Sequence, residues 1–240
     1  MLDSAFASRN GLIEMNAPSR TVTCRPAQMG DCTFLADIML QSMLPSSPRG
    51  LFDDLADEVG VHRLEFHEAL LRLDANHWGP LDSYLILERA GEPIGAGAAY
   101  PSSQPDNRPI TPDGVKRLTA HFGLEGDRAK TFLRTYIMTF GAFGSLPHLV
   151  HPADYVLEYC ALKPGTTGRV FGHLIRAHAE RATAFGHRTL GLIALGGNEA
   201  AGAAWRSYGA ELHSCIGPEA FKHKRPGLER YVMDLPLQDD

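Results

Sequence analysis

The segment from Tyr155 to Phe185 constrains the fold more than any other part of this 240-residue chain. It begins with a short apolar run typical of a strand, Tyr155–Leu162, and continues through the loop Pro-Gly-Thr-Thr-Gly at 164–168. From Arg169 onward, apolar side chains recur at helical spacing up to Phe185, and Gly186 is placed to end that helix in a left-handed conformation. A strand that leads through a glycine-containing loop into a helix predicts a mixed α/β fold.

The other elements follow the same logic along the chain. The sequence predicts strands at Thr21–Arg25, Tyr84–Glu88, Ile94–Tyr100, Thr189–Ala194, Ala210–Ile216 and Glu229–Leu235. It predicts helices after Asp31, over Leu51–Leu73 with a break at Gly60, at Asp113–Phe122, Asp127–Phe143 and Glu199–Tyr208. We expect residues 21–240 to form one α/β domain, with residues 1–20 as a flexible tail.

The composition excludes several classes of protein. There are 23 Lys and Arg against 28 Asp and Glu, so the formal charge is −5, which argues against a protein whose main role is to bind nucleic acid. No apolar run reaches the length of a membrane helix, and residues 1–20 lack the apolar core of a signal peptide. We therefore expect a cytoplasmic protein whose four scattered cysteines are free thiols.

The Pro-Gly-Thr-Thr-Gly loop has the features of an anion site. The first amides of a helix have no partner within it, and its dipole favours negative charge there. Gly165 and Gly168 permit close approach, Thr166 and Thr167 add hydroxyl donors, and Arg169 adds positive charge. The loop fits a phosphate or pyrophosphate, although an ordinary strand-to-helix turn can have the same composition. It matches neither a P-loop nor the dinucleotide fingerprint.

Two spaced motifs give the chain a family resemblance. Ala161-Leu-Lys-Pro164 followed by Gly-Thr-Thr-Gly-Arg-Val-Phe-Gly172 is similar to the pyrophosphate-binding motif of the GNAT superfamily of acyl-CoA-dependent N-acyltransferases. Asn198-Glu-Ala-Ala-Gly-Ala-Ala-Trp205-Arg-Ser-Tyr-Gly209 resembles the family's next helix. The resemblance implies a mixed, mostly antiparallel sheet flanked by helices. Residues 101–152 would be a helical insertion between its third and fourth strands.

The resemblance also implies a co-substrate, acetyl-CoA or a short acyl-CoA, and no metal. The residues that match the family's CoA-binding positions are Leu162, Thr167, Gly168, Arg169, Val170, Gly172, Asn198 and Trp205. Asn198 can equally serve only as a helix cap. Three positions depart from the pattern: Thr167 replaces an Arg or Gln, Val170 a Gly, and Trp205 a Tyr that often acts as general acid. An indole cannot supply a proton to a leaving thiolate.

Within this resemblance the catalytic candidates are Glu158 and Tyr208. Family members often place a general base on the strand before the loop, and strand alternation would put Val156, Glu158, Cys160 and Leu162 on one face, where only Glu158 can be that base. Glu158 can alternatively form an ion pair at the strand end. Tyr208 lies one turn from Trp205 and can replace the missing acid, although packing is its alternative role. We expect Cys160 and Tyr159 to be structural, with Tyr159 on the opposite face.

The predicted reaction moves an acetyl or short acyl group from CoA to the amine of a small molecule or amino-acid-like acceptor by direct attack. The alternative is a non-catalytic GNAT-fold protein that binds CoA as a sensor or structural partner. Basic residues of the insertion (Arg117, Arg128, Lys130, Arg134) can face an acceptor carboxylate or form the solvated face of ordinary helices. We expect no nucleic-acid or membrane partner. A homodimer is expected only because the resemblance to the family implies one.

Two further clusters have a functional and an ordinary interpretation. His148, His151 and Asp154 resemble part of a metal site, but no further ligand pair accompanies them, so lining of the acceptor pocket is the alternative. Lys222–Arg225 is typical of a solvated hairpin tip, and contact with CoA or an acidic partner is the alternative.

Overall fold

Strands and helices alternate along the chain in the order expected from the sequence. The structure is a computed structural model that describes residues 21–43, 49–103, 107–141, 150–221 and 226–236, so the predicted tail at 1–20 lies outside the described residues. The strands are β1 (Val22–Pro26), β2 (Tyr84–Arg89), β3 (Glu92–Pro101), β4 (Tyr155–Leu162), β5 (Thr189–Leu195), β6 (Glu211–Ile216) and β7 (Leu228–Asp234). The helices are α1 (Cys32–Met43), α2 (Asp53–Val59), α3 (Arg63–Arg72), α4 (Pro112–His121), α5 (Gly126–Phe140), α6 (Phe171–Ala184) and α7 (Glu199–Ser207).

The seven strands form one sheet in the order β1-β2-β3-β4-β5-β7-β6. Every neighbouring pair is antiparallel except β4 and β5, which are parallel, so the mixed and mostly antiparallel sheet is confirmed. Apolar side chains from α1 to α5 form a core on one face, and α6 and α7 pack on the other. The parallel pair lies in the middle of the sheet, where both faces are covered.

A β-bulge in β4 interrupts its pairing with β3. Ala98 lies opposite Glu158, but Ala96 lies opposite Ala161, so β4 contains one more residue than β3 over this interval. Tyr159 has a φ of 49°, an uncommon value for an aromatic residue, which is how the extra residue is accommodated. Because a bulge shifts the side-chain alternation by one residue, the predicted common face of β4 ends at Glu158.

The bulge corrects the expected positions of two neighbours. Cys160 packs with the core under α6 rather than beside Glu158, and its Sγ lies 2.5 Å from where a Cβ on Gly97 would be. Tyr159 is buried as expected, but it packs against Ala98, on the same face as Glu158. The absence of a side chain at Gly97 of β3 therefore has a specific role, since it makes room for the bulge.

Beyond the bulge, the two central strands separate. β4 and β5 pair only at three positions, from Tyr155 with Leu190 to Leu157 with Leu192. β4 continues with β3 as far as Leu162, and β5 continues with β7 as far as Leu195. The sheet therefore opens into a cleft between β4 and β5. The cleft widens toward their carboxyl ends, where parallel strands commonly bind ligands.

Helix α6 starts and ends largely as its sequence indicates. Gly186 has a φ of 82° and donates to Thr183, while His187 donates to Ala182, which together form a Schellman cap. Phe185 was expected on the buried face, but it caps the helix and is 61% exposed. The side chain stays at the surface because the helix ends there and the chain turns away.

Two helices, α4 and α5, occupy the segment between β3 and β4. They bury Leu118, Phe132, Tyr136 and Phe140 in the core against α2 and α3. In the described part of the chain, no helix has both the length and the apolar character needed to cross a membrane.

We predict that Gly97→Ala destabilises the protein by about 1–3 kcal/mol, because the added Cβ meets Cys160 and the side chains of Leu157 and Leu174. The free energy of unfolding in urea measures this cost. Gly30→Ala is the matched control, since its Cβ would have nothing within 4 Å, and it should change stability by less than about 0.5 kcal/mol.

The contact with Cys160 can be tested separately. In a Cys160→Ala background the cost of Gly97→Ala should fall, because the closest atom is gone. Equal costs at positions 97 and 30 would contradict the close approach of β3 to the bulge.

Candidate active site

A cavity of about 200 Å³ lies in the cleft between β4 and β5. Its walls come from both faces of the sheet, because the two strands no longer pair there. One end is lined by the last residues of α1 and by Tyr100, Glu158 and Arg230, and the other by Cys160 and Trp205. In a fully paired sheet, the backbone would separate ligands that are bound on the two faces. The cleft instead allows two ligands to approach each other from opposite sides.

Glu158 is the only carboxyl group among the described residues that line this cavity. It is half-buried and accepts a hydrogen bond from the hydroxyl of Tyr100, two residues along β3 from its cross-strand neighbour Ala98. Burial raises the pKa of Glu158 to about 8, although Tyr100 and the positive charge of Arg230 both act in the opposite direction. A carboxyl group with such a pKa can take up a proton near neutral pH and release it again.

The sequence did not predict two of the groups that face Glu158. These groups are Tyr100 and Arg230. Both are at least nine-tenths buried, and Nη1 of Arg230 donates to the carbonyl of Val150 at 3.1 Å. Burial is the main cause that raises the pKa of Tyr100 and lowers that of Arg230. The sequence signal for Arg230 was its position in the middle of a strand, beside Tyr231, which is buried. Arg is rarely buried without a partner, so an arginine at such a position indicates a specific contact.

His151 lines the same wall of the cavity. Its ring covers Gly191 of β5 and leaves no room for a Cβ there, and Nδ1 accepts from the amide of Ala153 at 3.1 Å. Burial and the charge of Arg230 lower the pKa of His151 to about 4, so the ring is neutral at pH 7. His148 of the predicted metal cluster lies outside the described residues, and no group of three metal-binding side chains occurs within them.

The threonine-glycine loop forms a turn of 3₁₀-helix at Gly168–Val170 that leads into α6. The amide of Val170 donates back to Thr167, but those of Gly168 and Arg169 have no partner within the described residues. Thr167, Gly168 and Arg169 are exposed. These donors and the positive charge of Arg169 suit a phosphate group.

One departure from the GNAT pattern, Val170, is accommodated at the start of α6, where Gly172 keeps the glycine of that pattern. Val170 has φ −81° and ψ −13°, helical values that a branched residue adopts easily, and its side chain is buried. Gly172 contacts the ring of Tyr208 at 3.1 Å from the position of a Cβ, so it allows α7 to pack against α6. Leu162 ends β4 just before the loop.

In the second motif, the structure places Asn198 at the cap of α7, as expected, but it does not place Tyr208 in the cavity. The side chain of Asn198 caps α7 by accepting from Ala201 at 3.1 Å, and Asn198 also lines the cavity. Trp205 lines it too, and its Nε1 donates to the carbonyl of Ile193 at 3.1 Å. Tyr208 packs on Gly172 and is not among the residues that line the cavity with Glu158, which does not favour the predicted role of Tyr208 as the acid.

The basic residues of the insertion do not face the cavity. Arg117 and Arg128 donate to the backbone carbonyls of Asp74 and Val59, Lys130 pairs with Asp127, and Arg134 is exposed on α5. They belong to the solvated faces of α4 and α5, the ordinary interpretation of their pattern. The basic segment Lys222–Arg225 lies outside the described residues.

No protein-family model and no curated protein matches the chain. Solved structures do match it: an N-acetyltransferase from Staphylococcus aureus Mu50 is 16% identical, with a TM-score of 0.54 over 88% of this chain and 100% of that one. A protein described only as an acetyltransferase is also 16% identical, with a TM-score of 0.50 over 89% of this chain and 100% of that one. At such identity the likeness shows the fold alone, and that fold is the GNAT fold.

We predict that Glu158→Gln changes how stability depends on pH. In the folded protein the pKa of Glu158, about 8, exceeds the ordinary value of 4.5, so folding favours the protonated form. The stabilisation from this group is complete below about pH 4.5 and is lost as pH rises to about 8, by an amount on the order of 2–4 kcal/mol.

The measurement compares the free energies of unfolding of wild type and Glu158→Gln between pH 4.5 and 9. Wild type should lose stability relative to the variant as pH rises. Glu65→Gln, at an exposed position on α3, controls for the loss of one surface carboxylate. A constant difference across this range would show that the pKa of Glu158 is not raised.

Proposed function

We propose that this protein is an acyl-CoA-dependent N-acetyltransferase that moves an acetyl group, or a short acyl group, to the amine of a small molecule. The observation that carries the proposal is the cleft between β4 and β5. Glu158, a carboxyl group of raised pKa, lines the cleft, and the exposed amide donors of Gly168 and Arg169 follow the carboxyl end of β4. The GNAT fold supports the same function.

The described residues fit acetyl-CoA as a co-substrate. Beyond Leu157, β4 has an edge that no longer pairs with β5, so an extended ligand with amide groups can hydrogen-bond along it as an added strand does. The edge from Glu158 to Leu162 spans about 13 Å, and the amides of Gly168 and Arg169 follow it. This order suits a ligand with a thioester at one end and a pyrophosphate at the other.

Glu158 would act as the general base, directly or through a water molecule. An acceptor that binds as an ammonium first gives one proton to Glu158. The neutral nitrogen then forms a bond to the thioester carbonyl carbon, the carbon–sulfur bond breaks, and a second nitrogen proton passes through water to the leaving sulfur. Tyr100 and Arg230 hold the base in place and limit the rise of its pKa. Backbone amides near the bulge and Leu162 would stabilise the carbonyl oxygen.

A non-catalytic CoA-binding role is the second candidate, and Trp205 favours it. The indole N–H of Trp205 is held by the carbonyl of Ile193, and an indole has no acidic proton to give. Tyr208 lies outside the cavity lining. An enzyme with this site would therefore depend on water or on another hydroxyl to protonate the leaving sulfur.

We predict that purified protein binds acetyl-CoA and that Gly168→Asp with Arg169→Glu weakens the binding at least about tenfold, because two negative charges would face the pyrophosphate. Isothermal calorimetry measures both affinities. Arg188→Glu, a charge reversal at an exposed position in the turn between α6 and β5, is the matched control and should leave the affinity within about twofold. Equal affinities for all three proteins would contradict the position of the site.

We predict that Glu158→Gln lowers kcat by about 10²–10⁴-fold while the affinity for acetyl-CoA is retained, because only the proton acceptor is removed. In wild type, kcat/KM should rise with pH and level off above about pH 8, where Glu158 is ionised. The reaction rate is measured from the release of free CoA thiol. Binding without turnover on a broad panel of amines would favour the non-catalytic role.

A further inference from the structure

The inner end of the cavity places two groups of opposite charge on one face of the sheet. Glu158 lies on β4, Ile193 on β5, and Arg230 lies opposite Ile193 on β7. Adjacent strands are about 4.8 Å apart, so the Cα atoms of Glu158 and Arg230 are separated by roughly 10 Å or more. Both side chains line the cavity, and the charge of each acts on the pKa of the other.

Arg230 is built into this wall rather than extended into solvent. It is 5% exposed, and its Nη1 donates to the carbonyl of Val150. A buried guanidinium interacts strongly with a carboxylate, because little water screens the pair and the planar group can donate two parallel hydrogen bonds.

The other arginine in the wall has a different environment. Arg49 forms ion pairs with Asp54 at 2.9 Å and Asp57 at 2.6 Å, and its side chain is 52% exposed. It is therefore already engaged at the rim. Among the described lining residues, Glu158 is the only carboxyl group, so the cavity has no acidic wall suited to an acceptor with several positive charges.

We propose that the acceptor is an α-amino acid or a close analogue, whose ammonium group binds beside Glu158 and whose carboxylate binds Arg230. This rests on the proposed acetyltransferase function and names its substrate class. The nitrogen and carboxyl carbon of an α-amino acid are about 2.5 Å apart, so one small molecule presents both groups to the same wall. The acceptor's own charges then match those of the wall.

The remaining wall indicates the character of the acceptor's side chain. Met43, Leu51, Trp78 and Phe221 also line the cavity, so an apolar or aromatic side chain would contact them. Arg230 is accordingly a binding residue that selects acceptors with a carboxylate, while Glu158 acts on their nitrogen.

The test compares matched acceptors at saturating acetyl-CoA. Phenylalanine, its carboxamide and phenethylamine share one aromatic side chain and differ in the carboxylate, and leucine with isopentylamine forms an aliphatic pair. We expect kcat/KM for each amino acid to exceed that for the counterpart without a carboxylate by about 10-fold to 100-fold. Equal or higher values for the amines would overturn the proposal without any change to the protein.

Variants then test which residue causes the preference for acceptors with a carboxylate. Arg230→Met should reduce the ratio of amino acid to amine at least about tenfold, and Arg230→Lys should keep part of it, since the charge remains but the paired donors are lost. Arg49→Met is the matched control and should retain the wild-type ratio. A preference that survives Arg230→Met, or that Arg49→Met removes, would overturn the role of Arg230. Calorimetry with acetyl-CoA checks that each variant is folded.

The same experiment separates failure of this inference from failure of the proposed function. Amines acetylated without regard to a carboxylate would contradict only the substrate class. Binding of acetyl-CoA with no release of CoA thiol on any acceptor would contradict the acetyltransferase function, and the substrate class with it.

Discussion

The separation of β4 and β5 is the constraint on which the rest of the site depends. One additional residue in β4, accommodated by the positive φ of Tyr159, bends that strand toward β3 after only three pairs with β5. Unpaired backbone groups in the middle of a sheet are costly, so the separation needs compensation. The indole of Trp205 satisfies the carbonyl of Ile193, and a ligand that binds as an added strand would satisfy others. The structural irregularity and the proposed binding site are thus the same feature.

The cavity combines groups whose burial is unfavourable individually. Glu158 and Arg230 each lose hydration, which raises the pKa of one and lowers that of the other. Their mutual attraction and the hydroxyl of Tyr100 offset part of this cost. The result is a carboxyl group that can change its protonation near neutral pH, beside a cation that remains charged. Stability alone would favour apolar residues here, so the cluster is consistent with a functional role.

The sequence was sufficient for the fold because local signals agree with one another. Element order, the left-handed cap at Gly186, the cap at Asn198 and the loop before α6 depend on neighbours within a few residues. The site was only partly predictable. Glu158 was identified, but the bulge altered the alternation that placed Cys160 beside it, and no local pattern shows a single extra residue. Tyr100 and Arg230 are brought to Glu158 by strand pairing over long sequence separations.

Amide hydrogen exchange of the full chain, with and without acetyl-CoA, tests the central claim most directly. If the cleft holds the ligand as an added strand, slowed exchange should appear at the free edge of β4, Tyr159–Leu162, and at Gly168–Arg169, while β1 and β2 at the far edge of the sheet stay unchanged. Protection elsewhere, with unchanged exchange at these two segments, would contradict the account that the bulge and the opened sheet create the acyl-CoA site.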